Sequence, residues 1–95
     1  MADPTDVVDN TDRHRLELKV ENHLAHLDYT DHDGVLTIVH TIVPDALGGR
    51  GLGGVLVQAA LAKAIAGGRT VVPQCPYAKS WLDKHPDAAA TVTLG

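Results

Sequence analysis

PDALGGRGLGG (residues 44–54) runs without a break into VLVQAALAKAIA (55–66). Five of the first eleven residues are glycine, and glycine loses more chain entropy on folding than any other residue. Behind the glycines, Leu52, Val55, Leu56, Ala59, Ala60, Leu61, Ala64 and Ile65 are helix-forming or small, and only Gln58 and Lys63 are clearly polar. The pattern predicts a helix over about 51–66 that is apolar on a wide arc and so must be covered on most sides. Gly67-Gly68 supply its stop, and Arg69 stands at the negative end of its dipole.

Upstream, RHRLELKVENHLAHLDYTDHDGVLTIVHTIV (13–43) alternates or runs apolar in short bursts. Leu16, Leu18 and Val20 share one face at period two. Leu24 or Ala25, Leu27 and Tyr29 form a second burst, DHDG (31–34) signals a hairpin turn, and Val35 to Val43 reads as a third, more buried strand. The three strands fall near 13–20, 23–30 and 35–43 and form an antiparallel meander. Pro44 ends the third, because it has no N–H for a ladder. Downstream, TVVP (70–73) is a short buried strand, parallel to the third because a helix joins them. PYAKSWLDKH (76–85) is a second helix with Pro76 in its first turn. DAAATVTLG (87–95) reads equally as a turn or a short strand. The order is β-β-β-α-β-α, an α+β mixed sheet with packed helices.

The 95 residues suit one domain, assigned to 11–95, with the acidic, polar residues 1–10 expected as a disordered tail. No run approaches the roughly 18 uninterrupted apolar residues of a membrane span, and the N-terminus lacks the basic and apolar regions of a secretory signal, so no membrane partner is expected. The single cysteine, Cys75, excludes a disulfide framework and a multi-cysteine zinc site, and makes a reducing cytoplasm the simplest compartment. His23 and His26 stand three apart on a strand and face opposite sides, so no metal is expected. The net charge is −4 with no basic cluster, which argues against nucleic acid.

A strand, a glycine loop and a helix N-terminus together make an anion site from backbone N–H groups and the helix dipole. Gly49-x-Gly51-x-x-Gly54 matches the dinucleotide fingerprint, but the carboxylate expected about 20 residues on is missing from TVVPQ, and antiparallel strands precede the motif. Gly53-Gly54-Val55 is not the Gly-Lys-Ser/Thr of a phosphate-binding P-loop.

Gly48-Gly49-Arg50-Gly51-Leu52-Gly53 resembles the pyrophosphate loop of the GCN5-related N-acetyltransferases, Gln/Arg-x-x-Gly-x-Gly/Ala, with Gly48 standing where Gln or Arg is usual. The blocks HTIVP (40–44), GRGLGGVLVQAAL (49–61) and VVPQCPYAKSWLDKHP (71–86) are similar in order and spacing to the small stand-alone members of that family, over about residues 9–87. The resemblance implies that strands 35–43 and 70–73 splay apart to admit coenzyme A, with Ile42 and Val43 pairing with its pantetheine arm. Its pyrophosphate would rest on the N–H groups of Gly49, Arg50, Gly51, Leu52, Gly53 and Gly54. Arg50 reads equally as a phosphate contact or a solvated loop residue. Acetyl-coenzyme A is then the cosubstrate and an unidentified amine the acceptor, for which the negative charge favours a cation.

Acetyl transfer needs a base, an oxyanion site and an acid for the leaving thiolate. Cys75, behind the second splayed strand and before a helix, is a candidate nucleophile. His40 is a candidate base, oriented by Thr41, and Tyr77 is a candidate acid that also closes the cleft. Trp81 reads as core and His85 as a helix cap. Three readings stay open: a minimal N-acetyltransferase, a coenzyme A-binding module without turnover, and a structural or partner-binding domain that uses the apolar helix as an interface, as monomer or homodimer.

Overall fold

The computed structural model describes residues 3–95. Six strands lie in sequence order across one sheet: β1 (Val8–Asn10), β2 (Arg15–Val20), β3 (His23–His32), β4 (Val35–Ile42), β5 (Thr70–Pro73) and β6 (Thr93–Leu94). The first four are antiparallel neighbours, and β5 and β6 join in parallel. Three helices are interposed: α1 (Leu52–Gly67), α2 (Pro76–Lys84) and α3 (Pro86–Ala89). This is the expected α+β mixed sheet, widened by a strand at either edge.

Two-residue turns fix the meander. Glu21-Asn22 and Asp33-Gly34 all have positive φ (51°, 65°, 51° and 76°), the conformation whose twist matches that of the joined strands. The hairpins place Leu16 opposite Leu27 and Leu18 opposite Ala25, so the alternating apolar residues form one buried face. Both parallel connections advance the sheet in the same direction. Right-handed crossovers therefore set α1, α2 and α3 on that one face, and among the described residues no helix covers the other.

Most of the apolar arc of α1 is consumed inside the molecule, with Ile65 left exposed. Leu52, Leu56, Val57, Ala60, Leu61 and Ala64 are buried in one cluster with Leu16, Leu18, Leu27, Leu36, Ile38 and Val71. Gly68, at φ 65°, ends the helix: its N–H and that of Arg69 return to the carbonyls of Ile65 and Ala64, the usual left-handed stop. Arg69 reaches the Gly67 carbonyl at 3.3 Å, as its place at the negative helix end predicts, and also holds Asp31.

The disordered tail expected over 1–10 needs correction. Residues 1 and 2 lie outside the described residues, but Pro4–Asp6 form a 3-10 turn capped by Asp3, and β1 pairs with β2. The sheet therefore begins upstream of position 11. Asp9 ties the segment down, accepting hydrogen bonds from the Tyr29 hydroxyl at 2.6 Å and from Lys63 Nζ at 2.7 Å. Composition could not reveal this, because both partners are remote in sequence. No helix among the described residues is long and apolar enough to cross a membrane.

Candidate active site

After Pro44 the chain makes a 3-10 turn over Asp45–Leu47, anchored by the buried Leu47. Gly49 (φ 77°) and Gly51 (φ 72°) then take the left-handed conformation, which residues with a Cβ adopt at a cost. Gly51 is the N-cap of α1 and offers no side-chain acceptor, so the first-turn N–H groups of Leu52, Gly53 and Gly54 have no capping side chain. They stand at the positive end of a helix of 16 residues. A cleft of about 250 Å³ adjoins them, lined by Val43, Pro44, the glycine backbone and Tyr77. Uncapped N–H groups, left-handed glycines and a cleft at one helix end suit the pyrophosphate of coenzyme A.

Gly53 and Gly54 have a second role that the sequence did not disclose. A Cβ on Gly53 would stand 2.6 Å from Tyr77 Cζ and Oη, and one on Gly54 would stand 2.5 Å from Trp81 Nε1. Tyr77 and Trp81 are four apart and share one face of α2, so these two glycines let α2 approach α1. Trp81, expected as core, is partly buried there and stacks on His85 with ring centroids 4.0 Å apart. His85 ends α2 as expected, its N–H donating to the Leu82 carbonyl.

β4 and β5 pair from Val35↔Thr70 to Ile38↔Pro73 and no further. Beyond that point the two strands have no further residue pairs in register, and β4 meets this side of the sheet through Thr41 and the Cys75 sulfur. Cys75 closes the end of the paired region, its N–H donating to the Ile38 carbonyl at 2.9 Å. Cys75 is buried, 5% exposed, and its Sγ lies 3.6 Å from Thr41 Oγ1. Burial opposes ionisation of the thiol, but hydrogen bonding with the Ala78 backbone, the Thr41 side chain and the Tyr77 and Thr41 backbone outweighs it and holds the Cys75 pKa below its ordinary value.

His40 does not join Cys75. Asp28 faces His40 while Tyr29 faces Ile38, so Val39 is an extra residue, a β-bulge. Simple alternation from Leu36 would send Ile38, His40 and Ile42 inward together. The bulge resets the count, turning Thr41 inward beside Cys75 and His40 outward to the helix-free face with Asp28, His26 and Arg15. There Asp28 is held by Arg15 at 2.8 Å and His26 at 3.1 Å. The one sequence signal was a histidine where alternation called for an apolar side chain. Arg50, read either way from the sequence, is paired with Glu21 of the β2–β3 turn, and Arg50 does not line the cleft. Ile42 stands exposed at the end of β4, opposite His26. Val43, Gly49, Gly51, Leu52, Gly53 and Tyr77 are the expected residues that meet around the cleft.

A family model described as GCN5-related N-acetyl-transferase matches residues 15–92. The solution NMR structure of a GCN5-like putative N-acetyltransferase from Staphylococcus aureus superposes with a TM-score of 0.72 at 28% identity, covering 100% of this chain and 92% of that one. No curated protein sequence matches the chain.

Proposed function

The chain belongs to the GCN5-related N-acetyltransferases, and from that premise we propose that it is a minimal acetyl-coenzyme A-dependent N-acetyltransferase whose acetyl group passes through Cys75 to an amine. The observation that carries this reading is the Cys75 thiol: buried, held below its ordinary pKa, and placed where β4 and β5 part. The glycine cleft at the head of α1 supports the cosubstrate assignment, with Gly49, Gly51, Leu52 and Gly53 lining it and their N–H groups the proposed cradle of its pyrophosphate.

Acetyl-coenzyme A supplies a thioester carbonyl carbon open to a nucleophile. Cys75 attacks it as thiolate, forms a new carbon–sulfur bond and becomes acetylated. Tyr77, which lines the cleft, is the proposed proton donor to the departing thiolate and regains its proton from water. Acetyl-Cys75 then yields its acetyl group to the neutral amine. The nitrogen gains the carbon, the Cys75 sulfur leaves as thiolate, and the proton shed by the nitrogen passes to a base or to water. His40 is a base for this reaction only for an amine arriving from the helix-free face, since it points away from Cys75.

Intact-mass measurement after incubation with acetyl-coenzyme A tests the reading. One acetyl group on Cys75, lost in Cys75→Ser and discharged by an amine, is the expected result. Coenzyme A binding by calorimetry without acetylation of protein or amine would instead favour a non-catalytic binding module, a reading supported by the separation of His40 from Cys75. The interface reading has less support, because most of the apolar arc of α1 is buried in this chain's own core and Ile65 is its exposed large residue.

A further inference from the structure

The following rests on the reading of Cys75 as the acetyl acceptor. The site holds a hydroxyl that a regular strand would have turned away. Val39 has no partner on β3, and this one inserted residue changes which side chains of β4 face the helices. Thr41 thereby shares the face of Leu27, its cross-strand partner, and its Oγ1 lies 3.6 Å from Cys75 Sγ. With Cys75 buried, 5% exposed as a residue, water has little access to take the hydroxyl's place. The remaining polar neighbours are backbone groups of Tyr77, Ala78 and Thr41 itself. No charged group contributes: His40 of β4 faces the other side of the sheet, and Tyr77 of α2 lines the cleft.

A hydroxyl is both donor and acceptor. With the thiol protonated, Cys75 donates to Thr41 Oγ1. When the sulfur is ionised, the hydroxyl rotates and donates in return, and hydrogen bonds to a charged acceptor are the strong ones. We propose that Thr41, delivered by the Val39 bulge, is a positioning residue whose hydroxyl donates to the ionised Cys75 sulfur and fixes the direction of its attack. The bulge is thus part of the chemistry as well as of the sheet.

The single cysteine lets the pH titration of thiolate absorbance, corrected by subtracting Cys75→Ser, report on Cys75 alone in the protein without cosubstrate. Thr41→Val keeps the shape and removes the hydroxyl, and Thr41→Ser restores it. Thr41→Val is expected to move the midpoint to higher pH and to slow alkylation by iodoacetamide at neutral pH by about tenfold, the scale of one lost hydrogen bond to a charged group. Thr41→Ser is expected to titrate and react like the native protein. A native midpoint and rate in Thr41→Val overturns the proposal, as does a Thr41→Ser variant that behaves like Thr41→Val. Thr41→Ala gives the same comparison should valine disturb the fold. Neither readout uses acetyl-coenzyme A, so a failure of acetylation and a failure of this proposal are separate results.

Discussion

A methyl group on Gly54 would meet the Trp81 indole nitrogen at 2.5 Å, whereas one on Gly49 would meet nothing within 4 Å. Glycines that look alike in PDALGGRGLGG therefore answer to different constraints. Gly54→Ala should lower stability by about 1–3 kcal/mol, the range for overpacking, read by urea unfolding, because the Trp81 ring must move and α2 with it. Gly49→Ala should cost about 1–2 kcal/mol through the left-handed backbone alone. In the proposed cradle it should also weaken coenzyme A binding in calorimetry, since its Cβ enters the space beside the uncapped N–H groups. The glycine density was legible in the sequence, and so was its place at a helix start. The division of labour was not, because Tyr77 and Trp81 come to Gly53 and Gly54 only when α2 folds back onto α1.

Among the elements, β1 shows how a segment with poor composition gains order. Its three residues are one exposed valine, one aspartate and one asparagine, yet Asp9 joins it to Tyr29 of β3 and Lys63 of α1. Burial first, and then the hydrogen bond to and charge of Asp9, push the Tyr29 hydroxyl well above its ordinary pKa. A phenol harder to ionise folded than unfolded contributes stability that is full below the unfolded value, about 10, and is lost as pH climbs above it. The melting temperature should therefore fall from about pH 10 upward. Tyr29→Phe should flatten that fall while costing about 1 kcal/mol at neutral pH, as thermal unfolding across the pH range would show. For β2, β3 and β4 the alternation and the DHDG turn made the strands legible. The bulge at Val39 left no period to read, and it puts His40 and Thr41 on the sides opposite to those that simple alternation would give.

Across the whole molecule, the antiparallel half supplies the broad apolar face and the parallel half supplies the cleft. Native-state hydrogen exchange should find α1, β3 and β4 slowest, since they carry most of the buried cluster. It should find β6 fastest, two exposed residues at the edge of the sheet. Protection in β6 equal to that in β4 would contradict this order. The sequence by itself determined the strands of the meander, the apolar helix with its glycine entry and exit, the parallel return of β5, and the resemblance on which the family rests. These are consequences of local periodicity, turn chemistry and short-range chain connection, which are written residue by residue. Only the tertiary structure decided that β1 is a strand, that Arg50 pairs with Glu21, that Gly53 and Gly54 receive α2, and that Thr41 rather than His40 stands beside Cys75. Each of these depends on partners remote in the chain or on one inserted residue, so each is settled by packing and register and leaves no repeating mark in the sequence.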